Sequence, residues 1–438
     1  MRRLVFLLLL AASPAALAQV PADTSQTVPP EPAGPDPEAN EPDAGDPGAI
    51  RDGVAETGQI QFRPRLAPSA LYSSNRGFGL GGGVAADNLG WRGSRSTLDL
   101  RVQQHFLGAG VSVATSDLYA RPVYGLLSAE ASTTNRRQFY GVGPFVSGSR
   151  PLQLVHSDLS VDARVGVYPF GNTALLVQPG VRYVVDRTSS VRDGSPAGLG
   201  DLTPESRAAV EPVVDAVRRG VSAGVEVAVD FRDWPAYPRS GSLVAVEARR
   251  FAALDASDLR FNRYSLQSVH YLTLRGRTAL IGSVTGIVTR QDDGDGDGTP
   301  DPLPYYYLPT LDDRVAVAYK QDRLTARDVF AVSLGVRVPV RDFIGVYGID
   351  ALVVGYLGNA YDDVVNQFSP RVSFSQDSRP DDAGRAPLLP ALGLGLGVVN
   401  LDKERVVLGA LVGVGAGGIT LATLRVAYNL RDSRPLFR

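Results

Sequence analysis

The chain contains no cysteine. It therefore has no disulfides, no thiol chemistry and no cysteine to carry a lipid at a mature N-terminus. Only three histidines are present, which together with the missing cysteine argues against a zinc site. An excess of positive charge is missing too. The formal net charge is −2, so there is no basic footprint for nucleic acid. Long apolar runs are scarce: beyond the first residues no stretch of about twenty apolar residues occurs, so no membrane-spanning helix is expected. The most apolar candidate, 344–360, is interrupted by Asp350 and several glycines.

The first residues have a different character. Arg2 and Arg3 precede an apolar run from Leu4 to Leu10, and small residues end at Ala16-Leu17-Ala18. That pattern predicts a secretory signal over 1–18, cut before Gln19. Residues 19–58 are rich in Pro, Asp, Glu, Gly and Ala. They hold too little that packs to offset ordering entropy, and read as a disordered periplasmic tether. The remainder, 59–438, is expected to be an outer-membrane β-barrel.

The barrel expectation comes from a period of two. Across 224–250, Val225, Val227, Val229 and Phe231 alternate with Glu226, Ala228, Asp230 and Arg232. After a turn marked by Pro235, Pro238 and Gly241, Val244, Val246 and Ala248 alternate with Ala245, Glu247 and Arg249. This predicts a β-hairpin with one apolar and one charged face. From Gln61 onward there are about sixteen segments of roughly the ten-residue length that a tilted strand needs to cross a bilayer. In the third, Leu98, Leu100, Val102 and Phe106 oppose Asp99, Arg101, Gln103 and His105. In the sixth, Leu159, Val161, Ala163, Val165 and Val167 oppose Asp158, Asp162 and Arg164. The twelfth sets Phe330, Val332, Leu334, Val336 and Val338 against Ser333, Gly335 and Arg337, and the last sets Leu424, Val426, Tyr428 and Leu430 against Thr423, Arg425 and Asn429. An arginine at mid-depth on a lipid face costs about 2–4 kcal/mol, so the charged rows must face a wet lumen.

Loop lengths add a second signal. Connections 134–152, 187–219, 291–326 and 356–389 are long and polar, whereas 88–93, 169–172, 275–277 and 401–403 are short. Short turns alternating with longer outer loops is the barrel pattern, and it places both termini in the periplasm. The fold class expected is all-β: a transmembrane antiparallel β-barrel of about sixteen strands. Within 187–219, residues 203–217 look briefly helical, with Thr203 as cap and Pro204 at the first helical position. Glycines 393, 395, 397, 409, 413 and 415 fall on the lumen side of strands fourteen and fifteen. They either relieve crowding or mark a locally weak seam.

Four places resemble the BamA/TamA-type outer-membrane proteins, also called the bacterial surface antigen family. Leu71-Tyr72-Ser73-Ser74 with Gly77-Phe78-Gly79-Leu80-Gly81 is similar to the family's opening hairpin. Gln138-Phe139-Tyr140-Gly141-Val142-Gly143 is similar to an F-Y-G-x-G stretch found in members lacking periplasmic domains. Asp230, Arg232, Asp233, Pro238 and Gly241 resemble its D-x-R-D…P…G turn. Leu308-Pro309-Thr310-Leu311 through Asp350 resembles its sixth outer loop and the two strands that follow. The resemblance spans about 62–430. It implies a sixteen-stranded barrel handling protein or lipid cargo, with the sixth loop folded into the lumen. In the family that loop carries V-R-G-F/Y, whose arginine pairs with acidic groups on the wall. Here the aligned residues are Ala316-Val317-Ala318-Tyr319, and only the aromatic remains. The next strand, usually E-x-R-x-P, reads Gly335-Val336-Arg337-Val338-Pro339, so the glutamate is absent as well. Asp350 is kept. The resemblance implies a lumen loop and wall of Tyr319, Arg323, Arg337 and Asp350. Because the family's arginine and glutamate are both missing, the loop is expected to be latched differently, through Arg314 or Arg323 to Asp350. The tether is also too short for periplasmic substrate-handling domains.

Other motifs are weaker. Asp293, Asp295, Asp297 and Asp301, with Gly298, match the first nine positions of a calcium loop. Pro304 stands where a bidentate glutamate belongs, so the segment is either a calcium site or a solvated acidic loop. His156-Ser157-Asp158 suggests a hydrolase, but adjacent strand residues point to opposite faces, so this Ser and His cannot meet. His270 is expected on a strand face near an interface. Trp91, Trp234, Tyr237 and Tyr305–Tyr307 suit interface girdles. No catalytic residues and no cofactor other than calcium are expected. The chain is read as a non-enzymatic bacterial outer-membrane barrel, in contact with membrane lipid, that moves or inserts protein or lipid. A passive, porin-like solute channel is the alternative, and an adhesive surface protein is a third.

Overall fold

The computed structural model describes residues 65–426 apart from 74–75, 88–93, 116–122, 145–149, 170–174, 234–236, 256, 293–301, 312–318, 320–321, 344–345, 375–380, 382, 402–404 and 416–417. The expected signal segment and tether lie outside the described residues. So do the aspartates of the calcium-like loop, Arg314, Trp91 and Trp234.

Sixteen long strands make up the body. They are β1 (Arg65–Ser73), β2 (Gly77–Asp87), β3 (Ser94–Gln103), β4 (Phe106–Thr115), β5 (Val123–Phe139), β6 (Leu152–Val167), β7 (Leu175–Val191) and β8 (Ala216–Asp230). Then follow β9 (Gly241–Ala253), β10 (Arg260–Arg275), β11 (Thr278–Gln291), β12 (Asp328–Phe343), β13 (Tyr347–Tyr361), β14 (Ala386–Asn400), β15 (Arg405–Gly415) and β16 (Gly418–Val426). Each pairs with its successor, antiparallel throughout, and β16 pairs back onto β1. The joints are unequal. β1 pairs with β2 along its whole length, from Arg65↔Ala85 to Ser73↔Gly77. With β16 it pairs, among the described residues, at Leu71↔Arg425 and Tyr72↔Leu424.

The alternation that predicts the strands decides their faces. On β6 the inward row Asp158, Ser160, Asp162 and Arg164 alternates with Leu159, Val161, Val165 and Val167, which are all exposed on the outside. The same holds on β12, where Leu334 is 62% exposed and the inward Ala331 is 3% exposed. An outer face of exposed leucine and valine is stable only against hydrocarbon, and the inner face carries the polar atoms. Among the described residues no helix is long and apolar enough to cross a membrane.

Two details differ from expectation. The third strand does not run on to Phe106: the chain turns at Gln104 and His105, and Phe106 opens β4, 8% exposed beneath the Arg76 guanidinium. The helical segment is also shorter than 203–217. α1 spans Pro204–Val210, with the Thr203 side chain accepting from the Ser206 backbone N–H at 3.3 Å. Pro212 has no N–H to continue it, and a single 3-10 turn, Glu211–Val213, leads into β8.

The longest connections, 140–151, 192–215, 292–327 and 362–385, all gather at one end of the barrel. The 292–327 segment pairs with itself through Thr310↔Thr325 and Leu311↔Leu324.

Candidate functional site

The inner wall is divided in character. From β6 to β10 it is charged. Arg164, 7% exposed, is gripped by Asp162 through two hydrogen bonds of 2.8 and 3.0 Å and by Glu226 at 3.1 Å. Arg249 binds Glu247 at 2.7 and 3.0 Å. On β13 to β15, apart from Asp350, the wall is apolar or bare. Gly393 and Gly395 have no space for a side chain: a Cβ would lie 2.9 Å from Val354 Cγ1 and 2.8 Å from Leu411 Cδ1, respectively. At these two positions glycine relieves crowding from the neighbouring strands.

Two segments meet this wall from opposite ends. The first is the turn between β8 and β9. Its D-x-R-D residues build the bend. Asp230 holds Arg232 through Nε at 2.9 Å and Nη2 at 2.7 Å. Asp233 accepts from the backbone N–H of Arg239 and Ser240 at 2.9 and 3.1 Å. Gly241 closes the bend at φ +95°, where a Cβ would lie 2.1 Å from the Phe231 carbonyl oxygen. The bend aims Tyr237 inward. Tyr237 is 1% exposed, its hydroxyl donates to Asp350 on β13, and the Arg337 guanidinium of β12 lies 3.8 Å above its ring. Arg337 also donates to the Pro238 carbonyl, and Thr273 of β10 donates to that of Arg239 at 3.0 Å. The turn thus leans across the inner wall from β9 to β13.

This arrangement corrects two expectations. Tyr237 is not an interface-girdle residue; its hydroxyl is the partner that the buried Asp350 requires. The latch to Asp350 does not come from Arg323. Arg277, at the β10–β11 turn, approaches Asp350 at 3.5 Å, while Arg323 lies over the Tyr140 ring at 5.0 Å. Position 335, where the BamA/TamA-type family it resembles has glutamate, has no room for a side chain. A Cβ there would sit 2.8 Å from the Val353 carbonyl oxygen and 2.9 Å from Val354 Cβ.

The second segment is 292–327. Tyr319 is fully buried among Leu311, Leu324, Val354, Tyr356 and Ala391, and its hydroxyl donates to the Leu389 carbonyl of β14. Val354 and Tyr356 belong to the inward row of β13. The F-Y-G-x-G stretch receives this segment: Gly143 N–H donates to the Thr325 carbonyl at 2.8 Å, and Tyr140 lies beneath Arg323. Tyr305–Tyr307 is a further correction to the girdle reading. Tyr305 is 3% exposed; its hydroxyl is 3.1 Å from Thr188 Oγ1 and 3.3 Å from His156 Nδ1. Tyr307 packs on Phe251 and Phe261. Burial pushes the phenols of Tyr140 and Tyr305 up to about 12, against the opposing pull of Arg323 and Arg137.

His156 is buried on the inner face, while Ser157 turns outward and bonds Thr133 at 2.9 Å, so the two do not meet. His270 lies on the outer face, between Ser242 and Ser268 at 2.8 and 2.7 Å. Among the described residues no cluster of acidic, histidine or cysteine side chains could hold a metal. Sequence reasoning found Tyr319, Arg337 and Asp350 but missed Tyr237, Tyr140 and Gly143 as contacts. The F-Y-G-x-G motif was the available signal for the last two.

No family model and no curated protein sequence matches the chain. Solved structures do. BamA from Haemophilus ducreyi lacking POTRA domains 1–3 is 12% identical, with a TM-score of 0.55, over 86% of this chain and 75% of that one. CdiB from Escherichia coli is 10% identical, with a TM-score of 0.50, over 84% of this chain and 65% of that one. CdiB from Acinetobacter baumannii is 10% identical over 83% of this chain and 60% of that one, with a TM-score of 0.46. This chain therefore spans under two thirds of either CdiB. At such identities the likeness is one of fold, and the protein is an all-β antiparallel barrel with the fold of the BamA-type barrel.

Proposed function

We propose that the protein is a non-enzymatic outer-membrane barrel that moves or inserts protein or lipid, closed at rest by its own inward-folded segments. The burial of Tyr319 carries this reading. A connecting segment outside the wall has no reason to bury a tyrosine against Val354 and Tyr356, which line the lumen. The long connections then lie on the outer side of the membrane, and the β8–β9 turn and both termini lie in the periplasm. Tyr237 and Tyr319 approach the lumen from its two mouths. An open solute channel would keep its constriction lined by charge and free of docked aromatics, so the packing of Tyr319 favours the gated reading.

Deletion of 312–325 tests it. Single-channel recording of the refolded wild type in a planar bilayer should show small, flickering currents, and the deletion should give steady, large ones. A steady, large current in the wild type, unchanged by the deletion, refutes the gated reading and leaves the passive channel.

A further inference from the structure

We infer that the inner wall holds a binding site for a phosphate-type oxyanion, built by Arg182 on β7, Arg249 on β9 and Arg263 on β10, with Ser222 of β8 between them. Register pairs Arg249 with Arg263 and places Arg182 on the neighbouring level of the same wall. Arg249 and Arg263 stand directly opposite each other across the β9–β10 ladder, and both belong to the inward rows. Directly opposed residues hold their Cβ atoms about 4.5–5.5 Å apart, and like charges at that spacing repel. Arg182 stands opposite Ser222, whose hydroxyl accepts from Arg249 Nη1 at 3.2 Å.

Acidic partners are distributed unevenly. Arg164, in register with Arg249 and Arg263, has both Asp162 and Glu226. Asp162 also stands opposite Arg182 but gives both its oxygens to Arg164. Glu247 is committed to Arg249 through its Nε and Nη2. Among the described residues neither Arg182 nor Arg263 has a carboxylate within ion-pair distance, and the buried Nε atom of each has no hydrogen-bond partner. The bond that Arg263 does make, from Nη2, is to the Tyr307 backbone carbonyl. A carbonyl carries no charge to balance a guanidinium.

Two guanidinium groups with free Nε–H donors, a third held beside them and a serine hydroxyl form a fork that suits a tetrahedral oxyanion. One phosphate would satisfy both orphaned donors and relieve the repulsion between Arg249 and Arg263. The Arg263–Tyr307 bond also ties the site to the 292–327 segment, so the occupant would sit against that segment. The anion could arrive as free inorganic phosphate or as a lipid headgroup. The inference rests on the barrel fold alone and stands whether or not 312–325 closes the lumen.

Equilibrium dialysis of the full-length chain, folded in a non-ionic detergent, with radiolabelled inorganic phosphate at constant ionic strength tests the site. Wild type should bind saturably. Arg182→Gln and Arg263→Gln should each weaken binding at least about tenfold, the loss expected for one charge-assisted contact pair. Arg263→Lys, which keeps the charge, should bind between the two. Glu247→Gln should bind tighter, because it frees Arg249. Heat-modifiable migration on a gel confirms the fold of each variant. A short-chain phosphatidylglycerol that competes better than phosphate identifies a lipid headgroup as the occupant; competition by phosphate alone identifies a free solute. The inference is overturned if neither probe binds saturably, or if the two Arg→Gln variants bind as wild type does.

Discussion

Removing a single oxygen from Tyr237 should loosen the β8–β9 turn. Tyr237→Phe keeps the ring under Arg337 but deletes the hydrogen bond to Asp350. A hydrogen bond to a charged group contributes about 1.5–3 kcal/mol. Arg277 remains 3.5 Å from Asp350 and absorbs part of the loss, which favours the low end of that range. A loss of about 1.5 kcal/mol shifts the docked-to-undocked ratio of the turn about tenfold. Tyr237→Ala also removes the ring beneath the Arg337 guanidinium, a contact of about 2 kcal/mol when desolvated. The combined loss corresponds to a shift of a few hundredfold. Single-channel recording reads this directly as open probability, with heat-modifiable migration confirming the barrel. Asp350→Ala also removes this bond, so combining it with Tyr237→Phe should cost less than the sum of the two single variants. A folded Tyr237→Ala barrel with wild-type open probability would refute the idea that this turn restrains the lumen.

Tyr319→Ala should raise open probability more than Tyr237→Phe, since truncating a buried aromatic costs about 3–5 kcal/mol; an unchanged current trace would contradict it. Gly241→Ala should prevent correct assembly, because a Cβ would meet the Phe231 carbonyl at 2.1 Å with φ at +95°. Loss of heat-modifiable migration checks this. Alkaline titration gives another test. The phenols of Tyr140 and Tyr305 ionise near 12 when folded and near their ordinary 10 when unfolded. Their contribution to stability is therefore fully present below pH 10 and is lost as pH rises towards 12. Phenolate absorbance of the folded protein should show a group of buried tyrosines, Tyr140, Tyr305, Tyr306, Tyr307 and Tyr319 among them, resisting ionisation at pH 11 and titrating readily in denaturant.

The barrel was legible because its two environments differ at every second residue. The rows on β6 and β12 fall on the faces that their alternation assigns. What the sequence concealed were directions outside the ladders. Tyr237 looks like any interface tyrosine beside Trp234 and Pro235. Its inward course depends on the Asp233 and Gly241 geometry, which period-two reasoning does not reach. Gln104-His105 lacks the glycine or asparagine of a tight hairpin, so the β3–β4 reversal leaves no mark in the sequence and the alternation alone puts Phe106 on the wrong face. The resemblance to the BamA/TamA-type family points to a partner for Asp350 in the sixth loop, where that family carries an arginine. Nothing in the local pattern around Asp350 points to a residue more than a hundred positions earlier.

The docking of Tyr319 has a consequence for the order of folding. Its acceptor, the Leu389 carbonyl, lies 70 residues further along the chain. The pocket around it does not exist until β13 and β14 have been laid down, because Val354, Tyr356 and Ala391 come from those two strands. Contacts of such long separation form late, after the loop-closure entropy of everything between has been met. Tyr305 and Tyr307 dock on β6 to β10, which precede them in the chain, so the 292–327 segment is expected to settle in two steps, with Tyr319 last.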